Sequence, residues 1–165
     1  MNVKRIVKHL LMTHGNVNRA FPRKSLLAIE KAIKASEAAH VGEIRFAVEG
    51  ALDGARLFRG QSARERAIEV FSKLRVWDTE HNNGVLVYLL LADRSVEIIA
   101  DRAAHTKVDS HEWQDICRGM ERAFGQANYE QGVLSGLQAV TGHLVKHFPA
   151  SGDGRSELPD KPVVL

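Results

Sequence analysis

The chain has 165 residues, 44% hydrophobic and 26% charged, which suits one soluble domain with a core of its own. A single cysteine, Cys117, excludes an intrachain disulfide, and no apolar run reaches the roughly 18 residues of a membrane span. Of the formal +3, residues 1–24 carry +6 through Lys4, Arg5, Lys8, Arg19, Arg23 and Lys24 without one acid, the tail 149–165 sums to −1, and residues 25–148 are left at −2, so the folded part offers no basic face to nucleic acid.

The opening MNVKRIVKHLLMTHG interleaves basic and apolar residues, where a signal peptide would separate them, and this predicts a cytoplasmic protein. Val3, Ile6, Val7, Leu10 and Leu11 fall on one stripe of a short helix whose other face is basic. Five aliphatic side chains in water are costly, so the stripe is expected to be covered, in the first place by the chain's own domain. Lys4, Arg5 and Lys8 give residues 1–12 another destination, peripheral contact with an anionic membrane. Gly15 to Pro22 breaks the period and reads as a linker, which makes residues 1–22 a basic amphipathic arm.

A helix is predicted over 23–39 with Leu26, Ile29 and Ile33 inward, then a half-buried strand over 43–49, EIRFAVE, from its alternation. After a glycine-bearing loop, Ser62 and Glu65 form a capping box that opens a helix burying Ala67, Val70, Phe71 and Leu74. VWDTEHNN then leads into the apolar GVLVYLLL, a strand over 85–91; a tight turn follows and a third strand over 96–100. Asp109 and Glu112 open a helix through Trp113, Ile116, Cys117, Met120 and Phe124, and a last helix over 129–147 carries Val133, Leu137, Val140 and Leu144 inward. Residues 150–165, rich in Gly, Pro and Ser, read as a disordered tail. Helices on both faces explain the continuous apolar run of the second strand. The predicted fold is α/β: a three-layer α/β/α sandwich with a small mixed sheet, built from a parallel βαβ unit and an antiparallel hairpin strand.

That topology sends Glu43, Asp78, Glu80, Asp101 and Asp109 to one end of the sheet, with His81, Asn82, Asn83 and Arg102 nearby. Crowded carboxylates repel unless a cation or an arginine neutralises them, and their hard oxygens suit Ca²⁺ or Mg²⁺. Glu43, Asp78, Asp101 and Asp109 are the candidate metal ligands, with Glu80, Asn82, Asn83, Arg94 and Arg102 as supporting polar groups. The competing reading gives Asp78 and the Asn pair a turn, Asp109 an N-cap, Glu43 a solvated strand position and Asp101–Arg102 a surface pair. His143 and His147 have the i, i+4 spacing of a zinc pair but lack the glutamate of H-E-x-x-H, and Cys117 reads as buried and inert. No phosphate-binding glycine loop or nucleophile elbow occurs in the sequence.

GEIRFAVE, the FSKL helix, NNGVLVYLLLADRSVEIIAD, the Trp113 helix and NYEQGVLSGLQAVTGHLVKHFP together resemble the TPM domain, over about residues 23–149. The resemblance implies an α/β/α sandwich, divalent-cation binding near Asp78, Asn83 and Asp101, and, as in a plant member, acid phosphatase activity. Residues 23–149 are thus expected to be a TPM-like domain that binds a divalent cation, Ca²⁺ or Mg²⁺, or a protein partner, without clear catalytic machinery. The alternative is a metal-dependent phosphatase acting on phosphate monoesters, with Arg102 or Arg94 neutralising the developing charge.

Overall fold

A computed structural model describes residues 2–152 and 154–165; Met1 and Asp153, which fall in the expected arm and tail, lie outside them. The N-terminal stripe forms helix α1 (Val3–Leu11), and the expected linker is itself a helix, α2 (His14–Ala20). Thr13 accounts for the difference. Its hydroxyl accepts the Asn16 N–H while the Asn16 side chain accepts the Thr13 N–H, a reciprocal cap with asparagine in the place of the usual glutamate. Val17 and the following Phe21 are buried in the main core. Gly50 makes the room, since a Cβ there would come within 2.8 Å of the Val17 side chain. α3 (Arg23–Ser36) follows, with Ile29 and Ile33 buried.

β1 (Glu43–Glu49) and β2 (Gly84–Leu90) pair in parallel, joined by the short α4 (Gly54–Phe58) and by α5 (Ala63–Lys73), which starts at the expected Ser62–Glu65 box. β3 (Ser95–Ala100) returns antiparallel to β2. Then come α6 (Arg102–Lys107), α7 (Ser110–Gly125) and α8 (Tyr129–His147), and a final β4 (Val163–Val164) pairs in parallel with β1, giving the sheet order β3-β2-β1-β4. Ile44, Phe46, Val48, Val85, Val87 and Leu89 share one apolar cluster with side chains of α3, α7 and α8. Ala47, Leu86, Tyr88 and Leu90 share a second with α5. The sheet is therefore the middle layer of an α/β/α sandwich, and β2, covered on both faces, reads as the unbroken apolar run it is.

Three expectations change. β1 is buried along all seven residues instead of on one face, because α5 and the C-terminal chain cover the face that alternation gives to water. Its polar residues are satisfied internally, and Arg45 donates to the Pro159 and Lys161 carbonyls. That bond, together with two from the chain to Glu43, holds the end of the supposedly disordered tail, where Leu158 is buried and β4 forms. The loops expected after β1 and after β3 each hold a short helix, α4 and α6, capped by Asp53 and Asp101.

Candidate functional site

The amino-terminal ends of β1 and β2 do meet. Glu43 is in register with Gly84, the Asp101 N–H donates to the Gly84 carbonyl at 2.8 Å, and the Ala103 N–H donates to the Asn82 carbonyl at 3.0 Å. Gly84 has to be glycine, for a Cβ there would overlap the Val76 carbonyl oxygen of the loop that carries WDTEHNN. Most of the predicted polar residues are thus delivered to one end, and most of these have a local employment. Glu43 is 4% exposed and accepts the Glu157 and Leu158 N–H groups at 3.0 and 3.2 Å. Burial pushes its pKa up to about 7, against the lowering effect of those two bonds. Asp101 caps α6 through the Arg102 N–H, and Asp109 caps α7 through the His111 N–H, both at 2.8 Å. Asp78 is exposed and paired with Arg75 at 2.7 Å. Glu80 is exposed, and its N–H donates to the Glu157 carboxylate at 3.0 Å. Asn82 makes the turn with φ 51°.

Arg102 is exposed and enters no ion pair among the described residues. Arg94 corrects the expectation outright. It stands in the β2–β3 turn, the other end of the sheet, roughly 20 Å away by the rise of a seven-residue strand. Among the described residues no three His, Cys, Asp or Glu side chains are gathered as metal ligands. What this end does offer a cation is two buried oxygens without a hydrogen-bond partner, Asn83 Oδ1 and Asp101 Oδ2. Both are hard donors of the right chemistry, against the six to eight oxygens that Ca²⁺ takes. His143 is half-buried, its ring 5.5 Å from that of Trp113, and burial pushes the Cys117 thiol up to about 12, so neither is poised for chemistry.

The carboxyl-terminal ends of β1 and β2 are built differently. Glu49 closes β1 and receives both Arg66 Nε, at 2.8 Å, and Arg66 Nη2, at 3.0 Å, while the Tyr88 hydroxyl donates to it at 2.6 Å. All three are buried. The bonds to Glu49 hold Arg66 protonated above its ordinary range; burial, then the bond to Glu49, does the same to the Tyr88 phenol. Beside them Asp93, in the β2–β3 turn, anchors α1. It accepts from Arg5 Nε and Nη2 at 3.0 and 2.9 Å and from His9 Nε2 at 2.9 Å. The Leu52 N–H donates to His9 Nδ1 at 3.0 Å, which assigns the ring proton to Nε2 and makes His9 a neutral link between α1, the turn and the chain after β1. Burial works to raise the Asp93 pKa, but the hydrogen bonds from Arg5 and His9, with the charge of Arg5, outweigh it and hold the carboxyl below its usual range.

On the far side of α1 lies a cleft of about 680 Å³ between α1, α2, the β2–β3 turn and the start of α8. Lys8, Arg19 and Arg94 line it together with Leu11, Met12 and Tyr129, and no carboxylate or histidine is among its walls. None of the three cations enters an ion pair or donates a side-chain hydrogen bond among the described residues. Arg94, with φ 51°, and Ala127, with φ 60°, also line it; they are two of four non-glycine residues with left-handed backbone among those described. Such conformations cost about 1 kcal/mol or more and gather where a structure is specified for use. The sequence carried one signal for this cleft, the acid-free run of cations over residues 1–24. Reading residues 15–22 as a linker hid it, because the helix α2 is what aims Arg19 at the β2–β3 turn.

A family model described as the TPM domain matches residues 19–143. Among solved structures, the chain is similar to the BA42 protein of the psychrophilic bacterium Bizionia argentinensis, at 28% identity over 86% of this chain and 93% of that one, with a TM-score of 0.76. It is also similar in fold to the N-terminal domain of a protein from P. gingivalis, at 16% identity over 79% of this chain and 82% of that one, with a TM-score of 0.64. Among curated proteins none matches.

Proposed function

The chain belongs to the TPM domain family, and on that premise we propose that it is a binding module whose working site is the basic cleft at the carboxyl-terminal end of the sheet, where it holds an anionic group of the phosphate or carboxylate class. The observation that carries this reading is the set Lys8, Arg19 and Arg94, three cations around one cleft without a carboxylate to neutralise them. Other cations at this end are closely paired, Arg66 with the buried Glu49 and Arg5 with the half-buried Asp93. Its position also follows the rule for α/β sheets, in which ligands sit outside the carboxyl ends of parallel strands. The walls supply charge, several apolar side chains and a phenol, which suits binding better than acid–base chemistry. Titrating the whole protein with inorganic phosphate while following amide shifts tests it. Shifts centred on Arg19 and Arg94 that vanish in the Arg19→Ala/Arg94→Asn variant support the cleft; shifts that persist in that variant overturn it.

A second reading has its own support. The unpartnered Asn83 Oδ1 and Asp101 Oδ2 would be satisfied by Ca²⁺ or Mg²⁺ at the amino-terminal end of the sheet, in keeping with the resemblance that first pointed there. Chelator-treated protein is then expected to melt higher with either ion, and Asp101→Asn to lose that gain. Hydrolysis of a phosphate monoester would depend on the same ion, and turnover that survives Asp78→Ala with Asp101→Ala removes the phosphatase alternative.

A further inference from the structure

The apolar stripe of α1 is not covered by the domain. Val3, Leu10 and Leu11 are 67%, 66% and 71% exposed, Val7 is exposed beside them, and only Ile6 is packed against a core cluster. At 3.6 residues per turn those four side chains fill an arc of about 100°. Arg5 and His9 lie on the opposite side of the helix and are fastened to Asp93, so the helix cannot roll its apolar face inward without breaking that anchor. The structure thus fixes the stripe outward.

We infer that α1 is a membrane-surface helix, with Val3, Val7, Leu10 and Leu11 entering the outer acyl region of an anionic bilayer while Lys4, Lys8, Arg19 and Arg94 sit among the phosphate headgroups. The charge pattern argues for this occupant over a protein. Lys4 and Lys8 border the apolar arc directly, and no acidic residue occurs between residues 1 and 24. Asp93, the acid that meets α1, is already consumed by Arg5 and His9. A flat array of phosphates beneath an apolar layer matches an apolar arc bordered by cations on one side. The cleft, which opens beside Leu11, would then take a headgroup phosphate, so the inference rests on reading that cleft as an anion site.

Co-sedimentation of the full chain with vesicles tests it, using phosphatidylcholine alone and phosphatidylcholine with phosphatidylglycerol. Binding is expected to the anionic vesicles only and to weaken with added salt. Val7→Ser/Leu10→Ser, two exposed residues outside the cleft, should lower it by about tenfold or more and leave the phosphate-induced shifts and the melting temperature unchanged. Absence of binding to anionic vesicles, or binding that the serine variant does not weaken, overturns the membrane inference; phosphate shifts in the same protein would still uphold the cleft. A dimer in sedimentation velocity that Val7→Ser/Leu10→Ser dissociates also overturns it, since a second copy would then be what covers the face.

Discussion

The two ends of the sheet are both crowded with charge, yet they are finished in opposite ways. At the amino-terminal end of β1 and β2 the carboxylates of Glu43, Asp101 and Asp109 are taken up by backbone N–H groups, so they close helices and hold the C-terminal chain. At the carboxyl-terminal end acids are met by arginines and a histidine in buried or half-buried pairs, and three cations are left over around an open cleft. A carboxylate bonded to backbone amides is structural by its geometry. A cation with nothing opposite it is available. Much of the polar density around WDTEHNN therefore serves architecture, and the quieter end gathers three unpaired cations around one cleft.

The comparison breaks most visibly at Glu49. Replacing it with alanine leaves Arg66 only the exposed Glu69 as a partner and Tyr88 without an acceptor, and the expected loss is about 3 kcal/mol in urea unfolding. Glu49→Leu combined with Arg66→Met removes both charges together and should recover part of that loss, since a buried pair replaced by apolar groups of similar size is often neutral while the Tyr88 hydroxyl still lacks its acceptor. If the single change costs less than about 1 kcal/mol, the carboxyl-terminal end is not the closed network described above.

Glu43 gives the matching test at the other end, with a sign of its own. The folded chain keeps the Glu43 proton up to about pH 7, while the unfolded chain releases it near the ordinary 4.5. Between these values the native state binds more protons, so this group's contribution is complete at low pH and is lost as pH rises through that window. The loss is on the order of 3 kcal/mol. Subtracting the profile of Glu43→Gln from that of the native chain isolates it, because carboxyls such as Asp93, held low, contribute with the opposite slope. A difference profile that is flat between pH 4.5 and 7 would mean the carboxyl is more hydrated than its burial implies.

Most of the fold was legible because it was written in periodicity. The stripes of α5, α7 and α8, the Ser62–Glu65 and Asp109–Glu112 boxes, and the continuous apolar run of β2 gave the layers and the order of three strands. What escaped was held together by partners distant in sequence. β4 is two residues long, and nothing in Val163–Val164 announces that β1 has an open edge waiting for it. α2 hides behind an asparagine doing a glutamate's work in its cap. Side-chain employment was the least legible of all. Alternation in EIRFAVE predicts water on one side of β1, and only the tertiary positions of Arg66, Tyr88 and the tail reveal that all of it is buried. The α1 stripe reads first as a face covered by the chain's own domain, until His9 is seen turned inward and bonded to Asp93.

The smallest expected effect closes the comparison, at Asp78. Its pair with Arg75 spans three residues at the end of α5, and both side chains are more than half exposed, 52% and 67%. Water and salt screen such a pair, and holding two long side chains together opposes what remains, so Asp78→Ala should change stability by less than about 0.5 kcal/mol. Asp101→Ala, which removes an N-cap from a buried position, should cost about 1–2 kcal/mol by the same measurement. The contrast also sharpens the cation reading, because that reading rests on the unpartnered Asp101 oxygen and not on Asp78. Any rise in melting temperature with Ca²⁺ or Mg²⁺ should survive Asp78→Ala undiminished. If Asp78→Ala abolishes that rise, the exposed carboxylate leaves Arg75 to reach the ion, and the amino-terminal end is then a functional site in its own right.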